Sequence, residues 1–343
     1  MTDNAVTNVL IIAGNDPTGG AGLSADIETI TSLGAHACPV VSCLTVQDLE
    51  GVYRVDPVAA DLIDQQARTI LAAIDIHAIK IGLLGGIEAI QTVAALLSEL
   101  VLEQPDLPVI LDPVLIVGAT GASLIGSQHT AYIQAMHDLL PLVTLVTPNV
   151  NELRQLTDKH DASQAADQLL AMGCDAVLVT GTDTDLADEF CHDEVDEPAP
   201  VVHRLFQQPD SRWTIAVDTD LIPRSSLIDA DPDHTLNLKL VTQRLPNQYH
   251  GSGCTLASGI ASLMAQQSPL VYAVCEAQQF TWLSLASGWL PEVNGVSASQ
   301  YLPYRLFWTH AADSAMTDLD EDIQPVEDNP SMIMTSTGKK WLC

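Results

Sequence analysis

Short apolar runs that each end in a polar or glycine-rich loop, and then give way to a helical pattern, recur along most of the chain. The first run, residues 8–13 (NVLIIA), is typical of a strand that is covered on both faces of a sheet. Similar runs occupy residues 39–46, 78–84, 109–111, 142–146 and 176–179. Helical patterns lie between them at residues 60–73, 87–102, 128–139, 151–157 and 163–173. This alternation predicts an α/β fold with a mostly parallel, doubly wound sheet and helices on both faces.

The second half of the chain departs from this pattern. Residues 182–245 contain acidic loops and short β-like runs at 213–217 and 234–240, which predicts an antiparallel edge with insertions. Helical patterns return at residues 253–267 and 270–289. After about residue 311 the chain is acidic and has little periodicity, so we expect a disordered or loosely attached tail. We therefore expect one domain over residues 1–311 and a tail over residues 312–343.

Residues 250–255 read His-Gly-Ser-Gly-Cys-Thr and immediately precede a helical pattern at residues 256–265. Two glycines let the backbone turn its N–H groups toward one point, and the helix dipole adds positive potential there. The turn therefore predicts an anion site, and the same dipole would favour the thiolate of Cys254. Two simpler interpretations remain open: the glycines serve only steric needs, or Cys254 is a buried apolar side chain.

A glycine-rich loop, residues 14–22, follows the first strand directly. Four glycines and one proline in nine residues predict a loop, and a helix should follow it. Asp26 is expected in the first turn of that helix. Its carboxylate either compensates the helix N-terminus or points back over the loop to a small polar ligand at the carboxyl edge of the sheet.

Composition limits the class of protein. The 44 acidic residues outnumber the 13 basic ones, so the surface would repel nucleic acid and anionic lipid. No apolar run approaches the ~18–20 residues of a membrane span, and residues 1–4 lack the basic residues of a targeting peptide. These features predict a soluble cytoplasmic protein that binds neither nucleic acid nor membrane. The seven cysteines are odd in number and form no Cys-x-x-Cys pair, which predicts free thiols.

Five motifs, in this order along the chain, resemble those of the hydroxymethylpyrimidine/phosphomethylpyrimidine kinases of thiamine biosynthesis, within the ribokinase-like superfamily. They are residues 13–26 (AGNDPTGGAGLSAD), 80–84 (KIGLL), 112–114 (DPV), 147–152 (TPNVNE) and 250–255 (HGSGCT). The resemblance spans roughly residues 8–290 and implies a three-layer ribokinase-like fold. The Gly-x-Gly-Cys ending favours pyrimidine kinases over sugar kinases. The implied reaction is phosphorylation of an aminopyrimidine alcohol by ATP, then of its monophosphate, in a homodimeric enzyme.

The resemblance also implies roles for particular residues. Gly14, Ala21, Asp26 and Gln47 would bind the aminopyrimidine, and Asp112, Asn149 and Glu152 would hold Mg²⁺. The nucleotide would contact Asn149, Thr180, Gly181, Ser252 and Gly253. The anion hole and the proton acceptor would be formed by Gly251, Ser252, Gly253 and Cys254. The chain departs from the family around Gly118, and again at residues 180–183, where a basic residue near the nucleotide phosphates is missing.

Three alternatives stay open on the sequence. The first is a pyridoxine or pyridoxal kinase of the same fold, although Gln47 and the cysteine ending favour the pyrimidine. The second is a non-catalytic paralogue that binds a pyrimidine as a sensor. The third is a cysteine hydrolase that uses Cys254 as nucleophile, with His250 near it in sequence.

Overall fold

Strand β1 (Asn8–Asn15) is formed by the apolar run that precedes the glycine-rich loop. It belongs to a ten-stranded sheet. The computed structural model describes residues 6–115, 128–181, 200–208, 211, 213, 226–229, 237–309, 332–334 and 340–342. Within it the chain divides into two compact units, Met1–Arg305 and Leu306–Cys343.

Six neighbouring strands of the sheet are parallel, as the alternating pattern predicts. They are β2 (His36–Gln47), β1, β4 (Ala78–Ile81), β5 (Val109–Leu111), β6 (Leu145–Val146) and β7 (Ala176–Val179). The loops that follow β1, β5, β6 and β7 therefore leave the sheet at the same edge.

Antiparallel strands flank this parallel block on both sides. On one side β3 (Val52–Pro57), which the sequence analysis did not identify, pairs with β2. On the other side β8 (Val201–Gln207), β10 (Asn237–Thr242) and β9 (Ser226–Asp229) form the expected antiparallel edge. Within the run predicted at residues 234–240, residues 237–240 form the beginning of β10, whereas residues 234–236 and most of the run at 213–217 lie outside the described residues.

Helices cover both faces of the sheet. Their bounds are α1 (Gly22–Ser32), α2 (Ala60–Leu71), α3 (Ile87–Glu103), α4 (His129–Leu139), α5 (Val150–Thr157), α6 (Ala162–Ala171), α7 (Ser252–Ala265) and α8 (Leu270–Ala286). Leu10 and Ile12 of β1 belong to the core cluster beneath α2–α6, whereas Val9 and Ile11 belong to the cluster beneath α1, α7 and α8. Alternate residues of one strand thus fill two cores, which explains the uninterrupted apolar run.

The predicted strand at residues 142–146 is shorter in the structure. A 3-10 helix (Leu140–Leu142) with a proline in its first turn occupies the start of that run, and β6 begins only at Leu145. Proline fixes its own φ and removes a backbone donor, so this stretch favours a turn over a sheet ladder. The apolar composition alone did not reveal this boundary.

Short hairpins complete the described structure. Within the first unit β11 (Glu292–Val293) pairs with β12 (Val296–Ser297). Within the second unit β13 (Met332–Met334) pairs with β14 (Lys340–Leu342), and most of the acidic tail lies outside the described residues. Among the described helices, none combines the length and hydropathy needed to cross a membrane.

Candidate active site

A cleft of about 730 Å³ lies at the edge where the parallel strands end. The loop after β1 contributes Ala21 to its lining, and the loop after β5 contributes Asp112. Most of the other lining residues come from the β6–α5 and β7 loops, from β8 and β10, from the segment before α7 and its first turn, and from α8. They include Asn149, Glu152, Thr180, Gly181, Arg244, His250, Gly251, Ser252, Gly253, Cys254, Gln278 and Trp282.

The glycine-rich loop is organised by the carboxylate of Asp16. It accepts hydrogen bonds from the Thr18 amide, the Thr18 hydroxyl and the Ala21 amide, each at 2.8 Å. His250 Nε2 lies 2.7 Å from Oδ2 of the same carboxylate. Burial works to raise the pKa of Asp16, but the bonds from His250 and Thr18 outweigh it and lower that pKa. Asp16 therefore stays ionised and fixes the conformation of the loop.

The N-terminus of α7 faces the cleft, as the His-Gly-Ser-Gly-Cys-Thr turn predicts. Gly251 caps the helix in the left-handed region (φ +83°), which explains the glycine at this position. The first helical hydrogen bond runs from the Thr255 amide to the Gly251 carbonyl. The amides of Ser252, Gly253 and Cys254 therefore precede the helical ladder, and all three residues line the cleft.

The two glycines of this turn have different surroundings. A Cβ on Gly251 would lie 1.8 Å from the carbonyl oxygen of Gly20, so the turn packs directly against the glycine-rich loop. By contrast, no described atom lies within 4 Å of the position that a Cβ on Gly253 would take. Gly251 is therefore required by packing, whereas Gly253 leaves open space in front of the helix N-terminus.

Cys254 lies at this N-terminus, but the prediction of a thiolate there is wrong. Burial raises the pKa of its thiol to about 12, and the neighbouring carboxylates Asp112 and Asp26 act in the same direction. Lys80 acts against them and does not outweigh them. The helix dipole is too weak a field to overcome desolvation of the sulfur.

Asp26 departs from its predicted position and environment. Helix α1 begins at Gly22, so Asp26 lies in its second turn and does not compensate the N-terminus. The carboxylate is fully buried and accepts from Lys80 Nζ at 2.9 Å on both oxygens and from Ser258 Oγ at 2.6 Å. It does not line the cleft. Because its oxygens are already bonded to an ammonium and a hydroxyl, direct substrate binding by Asp26 is not supported by this geometry.

The predicted metal ligands meet at one side of the cleft. Asn149 and Glu152 form a capping box at the start of α5, in which Asn149 Oδ1 accepts from two amides and Glu152 Oε2 accepts from the Asn149 amide at 2.9 Å. The Asn149 side chain is thus explained by helix capping. Burial, together with the charge of Asp112, raises the pKa of Glu152 to about 8.

Asp112 is the other acid of this side. Burial raises its pKa and Asp26 acts in the same direction, whereas Lys80, 4.0 Å away, opposes both. Among the described residues, no hydrogen-bond partner serves its buried Oδ2. No cluster of three or more His, Cys, Asp or Glu suited to a metal occurs in the described part of the chain. A buried Asp112 beside a half-buried Glu152, whose pKa it raises, nevertheless fits Mg²⁺, which needs only one or two protein carboxylates when phosphates supply further ligands.

The remaining predicted residues lie around this cleft or beside it. Thr180 and Gly181 line it, and the Gly181 amide donates to His203 Nδ1 at 3.2 Å. Gln47 ends β2 outside the lining, although Thr45, two residues earlier, donates to the Asn15 carbonyl of the glycine-rich loop at 2.9 Å. Gly14 is not among the lining residues of the cleft. It is fixed by packing, because a Cβ there would lie 2.6 Å from Cys43 Sγ. The altered loop at Gly118 lies outside the described residues.

The contacts of three residues near the site, His250, Lys80 and Arg305, were not predicted from the sequence. His250 was considered only as a partner of Cys254, but it pairs with Asp16. Two cations lie next to the site: Lys80 is fully buried and Arg305 is almost fully buried. Arg305 lies 50 positions after Thr255, to which it donates, and no local motif marks it. A basic residue inside an otherwise apolar strand was the one available signal, at Lys80.

Comparison with known proteins agrees with this geometry. The profile of the phosphomethylpyrimidine kinase family matches residues 16–203 and 225–296. A hydroxymethylpyrimidine/phosphomethylpyrimidine kinase of Streptomyces coelicolor is 30% identical over 286 residues, covering 82% of this chain and 89% of the relative. One of Escherichia coli is 31% identical over 286 residues, covering 81% and 90%.

A solved structure shows the same fold. A pyridoxal kinase of Bacillus subtilis, determined as an ADP complex, superposes with a TM-score of 0.64 at 22% identity, covering 88% of this chain and 100% of that one. The resemblance stated from the five motifs is thereby confirmed at the level of family and fold. This chain belongs to the phosphomethylpyrimidine kinase family and has its ribokinase-like α/β fold.

Proposed function

We propose that the protein transfers the γ-phosphoryl group of ATP to the hydroxymethyl oxygen of hydroxymethylpyrimidine, and in a second turnover to the resulting monophosphate. The observation that carries this proposal is the meeting of two backbone elements on one cleft. The N-terminus of α7 supplies amides from Ser252, Gly253 and Cys254, and the glycine-rich loop supplies Ala21. An amide-rich helix start beside a small-molecule pocket suits an anionic group in transfer.

The aminopyrimidine is proposed to lie against the glycine-rich loop. Backbone groups of Gly14 and Ala21 and the side-chain amide of Gln47 are the proposed contacts, since a carboxamide can both donate to and accept from an aminopyrimidine edge. The Thr45–Asn15 bond, which holds the end of β2 beside the loop, supports the assignment of Gln47. Asp26 is left out of this contact set because it is bonded to Lys80 and Ser258.

The nucleotide is proposed to occupy the cleft beside Thr180 and Gly181, with its phosphates toward α7. Asn149, Thr180, Gly181, Ser252 and Gly253 are its proposed contacts, and the ADP bound to the Bacillus subtilis neighbour supports nucleotide use by this fold. Asp112 and Glu152 are the proposed holders of Mg²⁺. When bound, the metal would neutralise phosphate charge, which a strongly acidic protein whose Lys80 is already bonded to Asp26 requires.

The chain's own residues are proposed to act by positioning. In-line phosphoryl transfer needs little covalent help from the protein, so the amides at the start of α7 orient and stabilise the phosphoryl oxygens. Cys254 Sγ is the proposed acceptor of the hydroxyl proton. Because burial raises the pKa of its thiol to about 12, this role requires substrate and nucleotide binding to lower that pKa.

A second candidate is phosphorylation of pyridoxal, which the Bacillus subtilis neighbour's name suggests. The two relatives at about 30% identity are instead named for the pyrimidine. We further propose that the enzyme works as a homodimer in the cytoplasm, and sedimentation of the purified chain tests the dimer.

ADP release measured with hydroxymethylpyrimidine, with pyridoxal and with no acceptor tests the proposal. We expect saturable turnover with the pyrimidine and little with the other two. Preference for pyridoxal would replace the proposal by the second candidate. Acceptor-independent ADP release, or none, would contradict kinase activity toward both.

A further inference from the structure

Arg305 is almost fully buried, with 1% of its surface exposed, and contacts three elements of the first unit. Its guanidinium donates to the Gly20 carbonyl, to Thr255 Oγ1 at 2.9 Å and to Glu28 Oε2 at 3.1 Å. Its own carbonyl accepts from Ser32 Oγ at 3.0 Å. A buried guanidinium requires nearly all of its donors to be satisfied, so these bonds fix its plane.

Two of the three partners belong to the two halves of the cleft. Gly20 lies in the glycine-rich loop, one residue before Ala21. Thr255 lies in the first turn of α7, and its hydroxyl donates to the Gly251 carbonyl at 2.9 Å. One planar side chain thus connects the loop to the helix cap through a continuous set of hydrogen bonds.

The backbones joined in this way are in direct contact. A Cβ on Gly251 would lie 1.8 Å from the same Gly20 carbonyl oxygen that Arg305 binds. The carbonyl is therefore held between the guanidinium and the helix cap. Arg305 itself does not line the cleft, so its influence on a ligand is through these two elements.

We propose that Arg305 is a positioning residue for phosphoryl transfer: it sets the separation between the glycine-rich loop and the amides at the start of α7. The proposal rests on the proposed function, in which the glycine-rich loop binds the acceptor and the start of α7 binds the phosphoryl group. Misplacement by about 1 Å costs in-line reactions on the order of 10²-fold in rate. Loss of Arg305 should thus lower kcat in both phosphorylation steps and affect the KM for ATP much less.

Arg305→Lys keeps the charge but replaces the planar fork, whose Nε and Nη2 bond Thr255 and Gly20, by a single nitrogen. We expect kcat to fall about 10-fold or more with the KM for ATP changed less than about threefold. Arg68→Lys is the matched control, since Arg68 makes a bidentate pair with Glu99 on the exposed side of α2. The control should leave both constants unchanged.

Thr255→Val and Thr255→Ser test the same connection if Arg305→Lys does not fold. The valine removes the hydroxyl and should lower kcat, whereas the serine keeps it and should retain most of kcat. In the Arg305→Lys, Thr255→Val double variant the loss should be no greater than in Arg305→Lys alone. Folded variants with unchanged kcat, equal effects of valine and serine, or losses that multiply would overturn the proposal.

Amide exchange separates this proposal from the proposed function. Even if the wild-type chain shows no turnover with hydroxymethylpyrimidine, Thr255→Val should speed exchange in the segments 16–22 and 250–255 together, and Thr255→Ser should not. Faster exchange in only one segment, or in neither, would show that Arg305 and Thr255 do not couple them.

Discussion

Asp16 Oδ2 lies 2.7 Å from His250 Nε2, although the two residues are 234 positions apart. The contact joins the loop after β1 to the turn before α7, and Asp16 is 3% exposed. The pairing also weakens the hydrolase alternative, because Nε2 of His250 is bonded to Asp16 and not to Cys254. The contact therefore joins the first and the last of the five motifs in one structural unit.

The Asp16 carboxylate should be required for loop stability. In Asp16→Ala the amides of Thr18 and Ala21 lose their acceptor, and a buried donor without a partner costs about 1–3 kcal/mol. We expect urea unfolding to report a loss of this size. Glu50→Ala, on the exposed turn after β2, serves as control and should leave the unfolding free energy nearly unchanged. Equal stability of Asp16→Ala and the wild type would contradict the assigned bonds.

The pH dependence of the same variant follows from the lowered pKa of Asp16. Its ionised form stabilises the fold above the pKa of the unfolded chain, and this contribution disappears as pH falls through the folded pKa. The difference between wild type and Asp16→Ala should therefore shrink on acidification. A difference that is the same at neutral and acid pH would argue against an ionised Asp16.

Gly251→Ala should destabilise the protein strongly. The new methyl group would overlap the Gly20 carbonyl, and the left-handed φ of +83° adds strain for any residue with a Cβ. Because the obstacle is backbone, relief requires the loop and the helix to separate. We expect a loss of at least about 1–3 kcal/mol in denaturant unfolding. Gly181→Ala, which has φ +73° but open space, is the control for strain alone.

Cys254→Ala should harm the first phosphorylation more than the second. In the first step the acceptor hydroxyl must lose a proton, and general-base loss costs on the order of 10²–10⁴ in rate. In the second step the acceptor is already an anion. Separate assays with the alcohol and the monophosphate measure the two losses. Equal losses would count against Cys254 as the proton acceptor.

Without metal, the wild-type protein should lose stability as pH rises from about 4.5 to about 8. Glu152 ionises near 4.5 when unfolded but near 8 when folded, so over this window the folded state binds the extra proton. Glu152→Gln keeps an oxygen for the Asn149 amide and removes the titration. Urea unfolding from pH 5 to 9 should show the stability of wild type declining relative to that of the variant. A constant difference would contradict the raised pKa.

Much of the fold was predictable because local patterns and buried layers coincide. β5 and β7 occur at their predicted residues, and the long helices differ from prediction by a few residues at most. β3 was missed because its residues, Val52–Pro57, include exposed charged side chains at the sheet edge and carry no buried pattern. Edge strands have one unpaired side, so sequence periodicity constrains them weakly.

The site was predictable where the backbone itself supplies the chemistry. Gly251 and Gly253 could be read from the turn, since glycine spacing before a helix has a direct conformational meaning. The environments of Asp26 and Cys254 could not, because both depend on Lys80 and on burial, which arise from tertiary packing. Arg305 was equally hidden, since its partners come from α1, the glycine-rich loop and α7.

Turnover by the Gly253→Leu variant is the most direct test of phosphoryl transfer at the N-terminus of α7. The leucine side chain would project into the open space before the α7 amides, where no described atom lies within 4 Å of a Cβ. We expect hydroxymethylpyrimidine-dependent ADP release by the wild type, and a loss of at least about 10²-fold in the variant at unchanged unfolding free energy. Wild-type turnover in a folded Gly253→Leu variant would contradict phosphoryl transfer at this helix N-terminus.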